Sequence, residues 1–566
     1  MTEATTSHLD ALTAELRAGE RAWAGLSLDR RRELLISLRE ATARHAAEWV
    51  RVACQIKGIP ANSALSGEEW TSGPYAVLTA ADALAQSVAA LAAGRSPLDG
   101  FPMTKAVGDR LAVRVLPHGS ADRMLLNGFS AEVWCQPGVS APTLRQDAGL
   151  AQRDPSQTGG IGLVLGAGNI FSIAPLDALY ELFAHNRVVL LKLNPITDPL
   201  LGVLEKVFAS FIELGVLRIV TGGVEFGAAA LAHPLIAHAH ITGALASHDA
   251  IVFGPGTDGR DRKARGEALL GIPITSELGG VSPTIVVPGR WSQRDLAFQA
   301  EHIVTQKLHN NGYNCIAAQV LVLSGDWPQR AAFLDSLRAA YGAAARRPAY
   351  YPGSDGRLAA ALAAHPEAGR FADGDRVLLT IPGDDDDPVY TEECFGPVLA
   401  VTTLPGGGAA FLASAIQFAN ARLAGTLGAN IVIHPRTRRQ LGAGFERALA
   451  ELRYGTIGVN AWTAVGFLTA RATWGAFPGH TLADAGSGIG IVHNALLLDH
   501  AERTVVRGPF RPFPRCLSAG ELAFSPRPPW FVTNRTAGLT GARLTDFVAA
   551  PGWRKLPRLF AGALRG

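Results

Sequence analysis

Ile161-Gly162-Leu163-Val164-Leu165-Gly166-Ala167-Gly168-Asn169 marks the point where the pattern of this chain changes. A short apolar run ends on glycines, and residues 172–185 then have helical spacing, with Pro175 tolerable in a first helical turn. The runs 188–193, Leu217–Val220 and 237–242 follow, separated by helix-length segments. Short buried runs alternating with helices predict a mainly parallel sheet covered on both faces, an α/β fold. A second block of the same kind follows the Pro/Gly-rich patch at 254–259 and includes the runs 284–287 and 317–323.

Working outward, the first hundred residues read as helical. Ser27 is placed to cap a helix carrying Leu34, Leu38, Ala41, Trp49 and Val52, and Gly58 is a plausible stop. Between 110 and 140, Leu111-Ala112-Val113-Arg114-Val115 and Ala131-Glu132-Val133-Trp134-Cys135 alternate like paired strands. A helix is expected over 292–311, and loops at 349–356 and 382–388. No internal repeat or long low-complexity segment interrupts the chain.

The 566 residues make two to four packed units, 48% hydrophobic and 18% charged, which excludes disorder, coiled coil and collagen-like repeats. A net charge of +3 is too small to make nucleic acid the default partner. No uninterrupted apolar stretch approaches the roughly 18 residues of a transmembrane segment. Met1-Thr2-Glu3-Ala4 lacks the basic-then-apolar pattern of a secretory signal. Cys54, Cys135, Cys315, Cys394 and Cys516 are too far apart in sequence for a metal knuckle or a redox pair. The expectation is a cytoplasmic enzyme without a structural metal. Charge is unevenly spread. Residues 501–566 hold eleven Lys or Arg against three acids, while the remainder holds 41 against 46.

Gly166 and Gly168 alone are weak evidence for dinucleotide binding, because Phe171 stands where a third glycine belongs and a tight strand–helix turn explains the pair equally well. Cys315, just past a helix and a glycine, is a candidate nucleophile, since a thiolate can add to a carbonyl carbon; the plainer reading is a small buried apolar residue. Glu277, before Gly279 and Gly280, is placed to activate water, and glycines there let the backbone approach a flat ligand. An exposed loop glutamate is the alternative. Asn169 can donate to an oxyanion or cap a turn. His238 and His240 share a strand face near His233, yet no Cys, Asp or Glu lies close by in sequence to complete a metal site. Trp462, Phe467, Trp474 and Phe477 either line an apolar tunnel or fill core.

Six segments occur in a specific order: Gly168-Asn169-Ile170-Phe171, Lys192-Leu193-Asn194-Pro195, Ile241-Thr242-Gly243, Glu277-Leu278-Gly279-Gly280, Asn310-Asn311-Gly312-Tyr313-Asn314-Cys315 and Glu392-Glu393-Cys394-Phe395-Gly396-Pro397. Together they resemble the aldehyde dehydrogenase superfamily, from about residue 160 to about 490. The resemblance implies a cofactor-binding domain (1–108 and 144–272), a catalytic domain (273–484), and a strand extension for oligomerisation (109–143 with part of 485–510). A basic, proline- and aromatic-rich tail (501–566) lies outside it. It implies NAD or NADP as cofactor, bound by Lys192, Thr242, Gly243, Leu278, Gly279, Glu393 and Phe395, with Cys315, Glu277 and Asn169 catalytic. The implied activity is NAD(P)-dependent oxidation of a small-molecule aldehyde to a carboxylic acid through a thiohemiacetal and a thioester, by a homodimer or larger homo-oligomer. Acyl exchange with coenzyme A and a non-catalytic scaffold are the alternatives. The chain departs from the family at Pro195, where NAD-binding members usually carry Glu, and at Tyr313, Ala244 and His248. For the tail, the sequence favours wrapping over the acidic body, with an acidic membrane surface as the rival.

Overall fold

The computed structural model describes residues 3–566; Met1 and Thr2, half of the start inspected for a leader, lie outside the described residues. Two sheets organise the chain. The first has six strands in the order Gly488–Ile489, Ile274–Leu278, Ile236–Gly243, Ile161–Leu165, Val188–Lys192, Leu217–Val220. All neighbours are parallel except the short Gly488–Ile489 edge. Strand Ile161–Leu165 lies inside it, with four of its five residues buried, as the uninterrupted apolar run predicts.

The second sheet has eleven strands. Its parallel centre runs Ala501–Arg507, Thr456–Val459, Gly428–Val432, Ser282–Val286, Ala318–Ser324, Val398–Leu404, Arg376–Thr380. Antiparallel strands close both ends: Gly369–Phe371 at one, and Ser130–Cys135, Arg110–Leu116 and Met103–Ala106 at the other. The two alternating segments read between 110 and 140 therefore do pair, Val113 opposite Val133.

Four boundaries move. Met103–Ala106 pairs with Arg110–Leu116, so the extension starts before residue 109. Ile274–Leu278 belongs to the first sheet, because Thr242 lies opposite Glu277 in parallel register, and the second sheet begins at Ser282. Ala501–Arg507, read both as part of the extension and as the start of the tail, is a strand that joins the extension to the large sheet, so the extension hydrogen-bonds to the sheet of its own chain. A helix begins at Ser354, inside the stretch read as loop. No sequence motif announced these moves, since strand membership depends on partners far away in the chain.

The N-terminal helices pack as their spacing implies. Ser27 accepts from the Arg30 N–H and caps the helix Leu28–Ile56, whose buried Leu34, Leu35, Leu38 and Trp49 face the first sheet's core. The run Ser66–Ala92 is long and apolar enough by composition to cross a membrane. Here Val77, Ala81, Leu84 and Val88 are buried in that same core. The segment after Arg507 folds onto the body through its basic residues: Arg511 and Arg515 both reach Asp295, and Arg527 pairs with Glu301 at 2.8 Å. The wrapping arrangement is thus the observed one, anchored on two acids of the helix Gln293–Leu308.

Candidate functional site

Cys315 sits where the two sheets approach each other. The helix Gln293–Leu308 starts with a reciprocal cap between Ser292 and Asp295 and ends at His309. Asn310, Asn311 and Gly312 then take left-handed conformations, φ 52, 54 and 79. Asparagine and glycine are the residues that tolerate this region, and three in succession reverse the chain into strand Ala318–Ser324. A Cβ at Gly312 would come within 2.5 Å of the Gly396 carbonyl oxygen, so glycine is required sterically as well. Cys315 is left half-buried on this turn.

Glu277 comes to the same point from the first sheet and is almost fully buried. Its Oε1 accepts from the Trp474 indole N–H at 3.1 Å, and its Oε2 is buried without a hydrogen-bond partner. Burial pushes its pKa up to about 7, opposed by the Cys315 thiol and the Trp474 indole. The Cys315 thiol is raised well above its ordinary range by burial and by the Glu277 carboxyl beside it. At rest, then, the thiol is protonated, and Glu277 is the adjacent group able to take its proton.

Asn169 follows strand Ile161–Leu165. Its Nδ2 donates to the Tyr313 carbonyl at 3.0 Å, so one of its two amide protons is already engaged beside the turn that carries Cys315. Asn310 donates to the Asn169 and Tyr313 carbonyls, and the Tyr350 hydroxyl donates to the Asn169 carbonyl at 3.1 Å. Tyr313, at one of the departures from the family pattern, is fully buried and stacks on Tyr351 at 5.6 Å between ring centres.

Two cavities meet at Cys315 and Glu277. The larger, about 920 Å³, opens at the carboxyl ends of the first sheet's parallel strands, where open α/β sheets bind ligands. Lys192, Thr242, Gly243, Gly279, Glu393 and Phe395 all line it. Leu278 does not: its side chain is fully buried and its N–H is given to the Ser487 carbonyl, so only its neighbours reach the cleft. Pro195 and Ala244 are on the wall. His248 is turned inward, wholly buried against Asp249. Burial pulls the Lys192 ammonium down while Asp198 opposes the shift, a neighbouring carboxylate that inspection of position 195 alone did not suggest.

Glu393 faces Glu277 across the cleft. Its Oε1 is buried without a partner, and burial together with Glu277 lifts its pKa to about 8, against the pull of Lys307 and the Gly280 N–H. A side chain at Gly279 would collide with the Glu393 carboxylate. Arg357 fixes the Glu393 turn by donating to the Cys394 and Phe395 carbonyls.

The smaller cavity, about 50 Å³, lies on the other side of Cys315. Trp462, Phe467 and Trp474 wall it, with Ile170, Ile173 and His493. Phe477 does not; it lies under the Arg503 guanidinium, 4.8 Å from the ring centre. His493 Nε2 is 3.1 Å from Asp177 Oδ1, and Asp177 Oδ2 accepts from the Thr242 hydroxyl. His240 contacts Thr275 and Thr242 and lies 3.6 Å from Asp177, and His238 lies 3.4 Å from Glu181; among the described residues no group of three metal-ligating side chains forms here.

Asp177, Lys307, Arg357 and Tyr350 carry no signal in the sequence, and Trp474 stands out there only as a tunnel or core aromatic, not as the hydrogen-bond partner of Glu277. They act through other residues across the fold, and short motifs carry no trace of such contacts.

Residues 169–345 match the aldehyde dehydrogenase family. Over 175 residues the chain is 27% identical to coniferyl aldehyde dehydrogenase of Pseudomonas sp. strain HR199, covering 31% of this chain and 33% of that one, so the matched segment spans about a third of that curated relative. Among solved structures, gamma-glutamyl-gamma-aminobutyraldehyde dehydrogenase from Burkholderia cenocepacia superposes with a TM-score of 0.58 at 19% identity, covering 88% of each chain. An indole-3-acetaldehyde dehydrogenase solved with NAD+ gives 0.59 at 16% identity over 88% of each chain. A 3,6-anhydro-L-galactose dehydrogenase solved with NAP gives 0.58 at 16% identity, over 88% of this chain and 92% of that one. At these identities the structures establish the fold. The family match is confined to 169–345, a segment that contains Asn169, Glu277 and Cys315, and over that segment the chain is similar to the aldehyde dehydrogenase family.

Proposed function

We propose that this protein oxidises an aldehyde to the carboxylic acid through a thioester on Cys315, with NAD or NADP as electron acceptor. The observation that carries the reading is the meeting of two cavities at one thiol–carboxyl pair, so that a cofactor and a substrate can reach Cys315 from opposite sides. The cleft suits a dinucleotide. Lys192 would hold the adenosine end, Thr242 and Gly243 the phosphates, and Glu393, with its unpartnered Oε1, the nicotinamide ribose beside Gly279, where a Cβ would collide. When bound there, nicotinamide supplies the acceptor for the hydride that the aldehyde carbon must lose.

The chain's own residues supply the rest. Glu277 takes the thiol proton, and its pKa of about 7 matches that task near neutrality. The thiolate adds to the aldehyde carbon, and the free amide proton of Asn169 is available to the oxyanion that forms. Once the hydride has left and the acyl group is on Cys315, Glu277 gives the thiol proton to solvent, then accepts a proton from the attacking water; the C–S bond breaks, and the sulfur takes that proton back from Glu277 as the acid leaves. A carboxyl beside the thiol supports hydrolysis over acyl transfer to coenzyme A. It also argues against a scaffold without activity, for which a buried, pKa-shifted pair would be a stability cost without return.

The test is aldehyde-dependent reduction of NAD or NADP. Cys315→Ala is expected to abolish it while cofactor binding, read by thermal shift, persists. An active alanine variant overturns the mechanism. Turnover that requires added coenzyme A moves the reading to the acylating alternative.

A further inference from the structure

A second apolar chamber, about 420 Å³, adjoins the catalytic pocket, and Thr71, Trp462, Leu468 and Trp530 form walls of both. Its far wall comes from the segment after Arg507, including Phe524, Phe531, Phe547, Leu559 and Phe560. The catalytic pocket by itself has room for a reacting group and little more. The chamber falls in the size range of small-molecule sites.

The far wall is fastened in place. Arg511 and Arg515 hold Asp295, Arg527 and Thr533 hold Glu301, and Arg39 donates to the Val548 carbonyl at 2.9 Å. Gly67 lies so close to Ala537 that a Cβ at 67 would meet the Ala537 carbonyl carbon at 2.5 Å. Polar groups collect on another side, where Arg471 donates to Gln86 at 2.7 Å and Arg39 lies 3.7 Å from Asp82. The rest of the lining is mostly aliphatic and aromatic, a surface that suits an apolar guest.

We infer that the segment after Arg507 builds a binding chamber for the body of the substrate, and that this protein takes aldehydes carrying an extended apolar chain or ring system, with the aldehyde group at Cys315 and the apolar body beyond Trp530. The inference rests on the aldehyde reading above for its chemistry, and on the two adjoining cavities for its size and polarity.

Straight-chain aldehydes from propanal to dodecanal test it. Each methylene entering the chamber is worth about 0.8 kcal/mol, so kcat/KM should climb about fourfold per carbon until the chamber is filled. Ala563 and Ala121 are half-buried on its wall. Ala563→Trp and, as a second variant, Ala121→Phe should lower kcat/KM for decanal at least tenfold and leave propanal unchanged. A flat chain-length profile, or equal losses for propanal and decanal in both variants, overturns the inference. Calorimetry with decan-1-ol, which cannot react with the thiol, separates the two readings. Binding to the unmodified protein that weakens in the filled variants supports the chamber even if no aldehyde is oxidised, which would count against the aldehyde reading alone. No binding of decan-1-ol overturns the chamber.

Discussion

On one side of Cys315 lies a cleft of about 920 Å³ edged by Lys192 and Glu393; on the other, a pocket of about 50 Å³ walled by Trp462, Phe467 and Trp474. On the proposed reading the cleft takes a dinucleotide, and a polar, charged guest calls for special residues at fixed places: a glycine where a Cβ would collide, a carboxyl with an unpartnered oxygen, a lysine at a strand end. The pocket has to exclude water and fit an apolar surface, which many combinations of ordinary core residues can do. Glu277 serves both sides. The difference teaches that the two halves of the reaction centre fail in different ways when altered, through chemistry on one side and fit on the other.

The sharpest way to break this comparison is at the shared carboxyl. Glu277→Gln should slow the burst, because the thiol loses its nearby base, yet still release one reduced cofactor per site before settling to a steady rate lower by about 10²–10⁴-fold, as loss of a general base costs. Steady turnover with no burst would mean that another group activates water.

A smaller effect is expected at Trp474, whose N–H favours the charged form of Glu277. Trp474→Phe should move the rising limb of the pH–kcat profile upward by about one unit, the equivalent of about 1.4 kcal/mol. The variant should then be slow at pH 7 and recover at higher pH. An unshifted limb would show that the hydrogen bond does not tune the base.

On the cleft side, Pro195 leaves no carboxylate at that position to repel a 2′-phosphate. Affinities for NAD and NADP should lie within about tenfold, or about 1.4 kcal/mol. A thousandfold preference for NAD would implicate Asp198, the acid beside Lys192, and Asp198→Asn should then relax it.

The smallest expected effect is on stability. Folding raises the pKa of Glu277 from its ordinary carboxyl value to about 7, so the folded state binds the extra proton between those values. Its contribution to stability is therefore best at low pH and is lost as pH rises through about 7. Glu277→Gln should melt a few degrees higher than the unmodified protein at pH 8 and show no advantage below pH 5. An unchanged difference across that range would contradict the buried, shifted carboxyl.

The same contrast explains what the sequence disclosed. Cys315, Glu277 and Glu393 stand in ordered segments whose residue types are dictated by chemistry, and the apolar runs 161–165 and 188–193 are long enough to announce buried parallel strands. Other features arise from contacts between distant parts of the chain. Trp474 reaches Glu277 across 197 positions, and Arg511 finds Asp295 across 216. Part of 485–510 is legible as belonging to the strand extension, but the parallel pairing of Ala501–Arg507 with Thr456–Val459 depends on a partner far away in the chain. Leu278 shows the opposite error. It lies in a specific motif, yet strand alternation turns its side chain into the core while Glu277 and Gly279 face the cleft.

The central claim is that the acyl group passes through Cys315. The most direct measurement is intact-protein and peptide mass spectrometry of Glu277→Gln, quenched in acid after mixing with an aldehyde and NAD or NADP. The account predicts one acyl group per chain, on the peptide containing Cys315, and none without cofactor. An unmodified Cys315 with the burst of reduced cofactor present, or an acyl group on Cys394 instead, would contradict it.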